Sequence, residues 1–244
     1  MSNQTSPGEA LNKAVEIGLS SQLDEVEELD VKMKTDPLQL VQGKVDAVEI
    51  AGKGLVMQGD LRVEELDMQV SSVAINPLSV AFGKIELTQP TEGITNVVLT
   101  EADINRAFNS DYVRNQLQNQ QLHINGQATT IKPQQVDFRL PGQGKVELSA
   151  TVLLGDRETR QVAFTAVPCV SSNGKNISLD NVQYGEGQQI SPELTKALVE
   201  QTSQILDLSN FDLKGISLKI KHLEADAGKL TLQAEAYVEQ IPSA

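Results

Sequence analysis

The chain of 244 residues has no tryptophan, a single cysteine and only 3% aromatic residues. Whatever core it builds is therefore aliphatic. One cysteine excludes an internal disulfide, and Cys169, within Pro168-Cys169-Val170, reads as a small buried hydrophobe rather than a nucleophile. Histidine is nearly as scarce. His123 stands out of phase with Leu122 and Ile124 and is expected to face solvent, whereas His222 continues the parity of Leu218 and Ile220. Two histidines so far apart form no metal motif. HExxH, GxSxG and EF-hand spacings are missing, and no strand leads into a phosphate-cradling glycine loop. Gly52-Lys53-Gly54 and Gly142-Gln143-Gly144 read as turns. No catalytic residue, metal or cofactor is expected, and the chain is not read as an enzyme.

Long hydrophobic runs are absent too. None approaches the ~18 apolar residues of a membrane span. The opening residues Met1-Ser2-Asn3-Gln4-Thr5-Ser6-Pro7 lack the basic region and apolar stretch of a secretory leader. The expectation is a soluble cytoplasmic protein, with at most transient, peripheral contact with a cytosol-facing membrane. Positive charge is in deficit: the net charge is −13 and the pI about 4.6. Such a surface repels nucleic-acid phosphates and anionic lipid headgroups, so nucleic acid is excluded as a partner. The acids Asp24, Glu25, Glu27, Glu28 and Asp30, and again Glu64, Glu65 and Asp67, alternate with apolar residues or sit at bends. They read as a solvated outer face that keeps the protein soluble, rather than as a glycosidase pair.

What is present in abundance is alternation. Apolar residues recur with period two from Val26 to the end of the chain, most regularly through Ile216, Leu218 and Ile220 and then Leu230, Leu232, Ala234, Ala236 and Val238. That pattern puts aliphatic side chains on one face of a sheet. Its parity changes near Glu64-Glu65, near Ser71-Ser72 and at Gly215, where bulges or strand breaks are expected to bend the sheet. Val45 to Ile50 reads as one strand, ended by the turn at Gly52 and Gly54. Short turns at Asn125-Gly126, at residues 141–144, at Gly155-Asp156-Arg157 and at Asn173-Gly174 imply antiparallel hairpins.

Three stretches show helical period instead. Leu11, Val15 and Leu19 share one face of a helix opened by Ser6-Pro7. Thr100-Glu101-Ala102-Asp103 is a capping signal ahead of Ile104 and Phe108. Ser191-Pro192 opens a third helix carrying Leu194, Leu198 and Ile205. The class is α+β, in a single domain spanning residues 1–244, with no linker or boundary.

Several segments carry a resemblance. Residues 36–46 (Asp-Pro-Leu-Gln-Leu-Val-Gln-Gly-Lys-Val-Asp), 50–55, 61–66, 98–105 and 228–234 resemble the LmeA-like phospholipid-binding family over roughly residues 8 to 241. The resemblance implies a tubular lipid-binding-like fold: a long, strongly curved, mainly antiparallel sheet wrapped around amphipathic helices, with lipid in an apolar groove. It implies exported or envelope-associated relatives, from which this chain departs by lacking a leader.

The leading expectation is non-enzymatic binding or transfer of a phospholipid or glycolipid. Its groove would be lined by Leu11, Val15, Leu19, Ile104, Phe108, Leu194, Leu198 and Ile205 from the helices. Leu218, Ile220, Leu232 and Val238 would face them from the strands. The alternative is a structural or scaffolding protein with a filled core that binds a protein partner. An enzyme acting on lipid or glycan would need acids clustered at a groove mouth.

Overall fold

The computed structural model describes residues 7–57, 60–80, 85–118, 121–124, 127–155, 158–185, 194–196, 199 and 215–240. The alternating segments form antiparallel strands gathered into two sheets, not one. In the first sheet, β1 (Glu25–Lys34), β2 (Lys44–Met57), β3 (Leu61–Ala74) and β4 (Thr91–Thr100) are successive neighbours. The last strands of the chain, β10 (Ile216–Asp226) and β11 (Lys229–Val238), complete it, with β11 against β4. The second sheet is a meander of β5 (Gln121–Ile124), β6 (Gln127–Gly142), β7 (Lys145–Leu154), β8 (Glu158–Val170) and β9 (Ile177–Tyr184). The α+β class stands; the single long sheet does not.

Helix α1 (Pro7–Ser20) packs on β1, and the short α2 (Pro37–Val41) and α3 (Pro77–Val80) fill the β1–β2 and β3–β4 connections. The helix expected after Thr100 is two helices, α4 (Glu101–Asn109) and α5 (Asp111–Gln118). Ser110 takes an extended ψ of 154° between them, and its hydroxyl accepts from the Val113 amide. Serine competes with the backbone in this way, so the break is a local preference made structural. Of the third helix only residues 194–196 and 199 are described; Leu198 and Ile205 lie outside the described residues.

Gly52 and Gly54 make no turn, because β2 runs straight through both. Gly54 (φ 57°) and Ser72 (φ 57°) adopt left-handed backbone inside the β2–β3 ladder, yet the pairing keeps one register throughout. A left-handed residue rotates the chain so that the next side chains leave from the opposite face. The buried positions accordingly change parity in both strands at once. They run Val45, then Val48 and Gly52, then Leu55 in β2, where Gly54 and Val56 are buried as well, and Val73, then Val70 and Met68, then Leu61 in β3. The parity breaks read from sequence are real, but they are face inversions at constant register rather than inserted residues. A true bulge lies elsewhere, between Ile220 and His222. It turns His222 out to solvent and Leu223 inward, correcting the parity expected for that histidine.

Glu27 of β1, Gly54 and Glu64 share one inverted row, where a Cβ on residue 54 would sit 2.2 Å from Glu27 Cδ. Arg62 gathers the charges there. Its guanidinium donates to Glu27 at 2.8 Å, Glu64 at 2.6 Å and Asp103 of α4 at 2.8 Å. Asp103, only 4% exposed, also accepts from the Thr100 amide and hydroxyl, closing a capping box. Burial opposes its ionisation, but the hydrogen bonds from Thr100 and Arg62 prevail and hold the carboxyl below its usual range.

The opposite side of α4 covers a sheet edge. β5 pairs with β6 only as far as Thr130, and beyond it the β6 edge has, among the described residues, no strand neighbour apart from the isolated Pro141–Ala227 bridge. Asn105 instead receives the Phe138 amide at 2.7 Å and donates to the Phe138 carbonyl at 2.7 Å. Asn109 does the same for Val136, and Glu101 accepts from the Leu140 amide. Four helical residues advance about 6 Å and two strand residues about 6.6 Å, so an i, i+4 series on a helix can match alternate residues of a strand. The sheets also meet at the Pro141–Ala227 bridge and through the Gly228 amide on the Leu140 carbonyl. Phe108 and Phe138 stack between them at 5.8 Å.

Two outcomes follow from this junction. Asn105→Ala leaves both Phe138 backbone groups unpaired and should cost about 2–3 kcal/mol in denaturant unfolding. Because the folded-state pKa of Asp103 is depressed, its contribution is present above the unfolded value near 4 and is lost as pH falls through the folded value. Asp103→Asn should therefore flatten the stability–pH curve below about pH 4, measured by urea unfolding across that range.

Candidate functional site

In the far half of the first sheet, ion pairs such as Lys34–Glu49 lie on the outer face and aliphatic side chains on the inner one. The inner face is built from Val45, Val48, Val70, Val73 and Ala236, and α1 lies across it with Val15 and Leu19. The Asn12 side chain accepts from the Met33 amide at 2.9 Å, a polar tie between α1 and the sheet edge. Between helix and sheet is an apolar pocket of about 40 Å³. Val15 and Leu19 line it from α1, Val48, Ile50, Met68 and Val70 from the middle of the sheet, and Ile216 and Val238 from its other side. That volume holds about three water-sized groups.

The expected lining residues fall into separate places. Val15, Leu19 and Val238 line this pocket, and Leu218 packs into the same cluster. Ile104 and Phe108 belong instead to the cluster between the sheets. Leu194, fully buried, packs with Ile131, Val152 and Val162 on the second sheet. Leu11 and Ile220 are buried, and Leu232 is half-buried. Ile50, Met68, Val70 and Ile216 were not singled out from sequence, although their alternation marked the inner face.

Two buried threonines of β4 interrupt that face. The Thr91 hydroxyl donates to the Ser71 carbonyl at 3.2 Å. Thr95 lies opposite Met68 and Ala234, is 1% exposed, and its hydroxyl has no hydrogen-bond partner among the described residues. An orphaned buried hydroxyl costs about 1–3 kcal/mol. Cys169 is half-buried in β8, and burial together with Asp180 raises its thiol pKa, which disfavours the reactive thiolate. Among the described residues no group of three or more His, Cys, Asp or Glu side chains is placed to hold a metal. No described helix is long and apolar enough to cross a membrane. The site is therefore a mainly aliphatic face, with Thr91 and Gln240 at the pocket and Thr95 further along β4 as polar groups. Replacing Thr95 by Val keeps the shape and removes the orphan, so the variant should be more stable by about 1 kcal/mol in chemical unfolding. A loss of that size would reveal a partner for the hydroxyl.

Among curated proteins and solved structures, no significant match to the chain was found. The family comparison is decisive where those are not. The model of the LmeA-like phospholipid-binding family matches residues 8–235, taking in α1, most of the pocket face, the junction and the larger part of β11, and the chain belongs to that family.

Proposed function

We propose that the protein binds a phospholipid or glycolipid between α1 and the inner face of the first sheet, and carries it without chemical conversion. The observation that carries this reading is an aliphatic face, closed by one helix, in a chain of a phospholipid-binding family. Hydrocarbon binding needs area and shape rather than directional bonds, and the aliphatic face beneath α1 offers such area. The 40 Å³ present is too small for an acyl chain, so lipid entry requires α1 to shift from the sheet. That shift exchanges one apolar partner of the sheet for another, and the face need not meet water. Wrapping of the sheet around α1 and its cargo, in the manner of tubular lipid-binding proteins, belongs to the same proposal.

The small pocket also favours a second reading, in which the core is simply filled and the protein acts as a scaffold. Native mass spectrometry after incubation with phospholipid vesicles separates the two. The expected result is an adduct with the mass of a two-chain lipid, released on denaturation. Leu19→Glu, which sets a charge at this half-buried lining position, should lower uptake at least fivefold while the fold is retained by circular dichroism. No adduct and no uptake would leave the scaffold reading.

A further inference from the structure

At one end of the first sheet the helical stretches of two connections carry no charge, flanked in sequence by Asp36 and Lys44 and by Lys84 and Glu86. Residues 37–43 and 75–80 contain no ionisable side chain, in a chain whose charged content is 22%. They form α2 with its exit and α3 with its entry, and they are adjacent: the Ile75 amide donates to the Gly43 carbonyl at 2.8 Å. A Cβ at Gly43 (φ 75°) would lie 2.2 Å from the Ile75 carbonyl and 3.1 Å from Pro77 Cδ, so only glycine allows this approach. On these two helices stand Leu38, Val41 and Leu78, exposed by 75, 76 and 73%. Elsewhere on the described surface the large exposed hydrophobics are scattered among other elements. Both helices are anchored: the Asp36 carboxylate caps α2 through the Leu38 amide, and Asn76 accepts from the Leu78 amide. The exposed side chains are thus held outward by short capped turns.

We infer that this tip docks on a lipid bilayer, inserting Leu38, Val41 and Leu78 into the headgroup–acyl boundary. Three properties select a bilayer over a protein. The side chains project from turns instead of lining a groove, and a fluid surface accommodates projections without a matching pocket. The two helices themselves hold no charge to desolvate, and the adjoining Asp36 carboxylate is engaged by the Leu38 amide, whereas the rest of the acidic protein resists adsorption by electrostatics. The tip also adjoins the pocket: Val73 and Leu87 line it, Val73 one row from the end of β3 and Leu87 bridged to Ile75. The inference rests on the lipid-carrier reading for its choice of occupant, and it names the face through which cargo would be exchanged.

Flotation with neutral phosphatidylcholine vesicles tests it. The unmodified protein should float with the vesicles, and the combined variant Leu38→Ser, Val41→Ser, Leu78→Ser should show at least tenfold weaker partition. Because all three side chains are exposed, the variant should keep its unfolding midpoint. Ile94→Ser removes an equally exposed aliphatic from the outer sheet face (64% exposed) and should leave partition unchanged. Uptake of a monomeric short-chain phosphatidylcholine should be equal in all three proteins. Absence of flotation, flotation of the triple variant at full strength, or an equal loss with Ile94→Ser would each overturn the docking inference. So would self-association of the unmodified protein that the triple variant abolishes. If flotation depends on the tip while no protein takes up the short-chain lipid, docking stands and the cargo reading fails.

Discussion

Helix α4 is hydrogen-bonded to two sheets at once, through different faces and different chemistry. Asp103 reaches Arg62 in the first sheet, while Glu101, Asn105 and Asn109 serve the open edge of β6 in the second. A sheet edge with unpaired amides and carbonyls invites pairing with another chain, and a helix interior is normally indifferent to it. Here the commensurate advance of helix and strand lets three side chains act as a surrogate strand. The stacking of Phe108 on Phe138 and the packing of Val113 depend on that placement.

Arg62 is equally bound to the path of the backbone. Glu27, Glu64 and Gly54 occupy one row only because β1, β2 and β3 invert their faces together. A carboxylate as deeply buried as Asp103 is costly unless it is both paired and hydrogen-bonded, and it is both. The inversion has a second effect. It divides the long strands into a half whose buried side chains meet the second sheet and a half whose buried side chains meet α1. One end of the first sheet is secured by directional bonds, the other mainly by aliphatic contact.

This division explains what was legible in the sequence. Alternation located the strands, and Thr100-Glu101-Ala102-Asp103 announced the capping box seen in α4. Parity breaks at Glu64-Glu65 and Ser71-Ser72 were visible, but sequence parity cannot distinguish an inserted residue from a left-handed one. Only the unchanged register does. Gly52 and Gly54 misled because glycine marks turns and left-handed strand residues alike. The spacing of Glu101, Asn105 and Asn109 was visible as well, yet its meaning needs a β6 edge that lies far along the chain. Hydrophobic stripes identified buried faces correctly at Leu11, Val15, Phe108 and Leu194, but a stripe does not say which sheet it meets. Phe108 and Val15 therefore belong to different clusters.

The asymmetry between the two ends also bears on how the protein can change shape. Opening a site against a network such as that of Arg62 would strand charges in a low-dielectric interior, and such networks move last. Opening between α1 and the sheet exposes mainly aliphatic surface, and a polar tie there is the bond from the Met33 amide to Asn12. Regions with few directional bonds lie at the low-stability end of a fold. If apolar cargo or a bilayer covers the face as α1 moves, even the hydrophobic cost is largely offset. The apolar tip lies at this compliant end and the ion-paired junction at the other, so the part of the molecule best able to open is also the part best able to leave water.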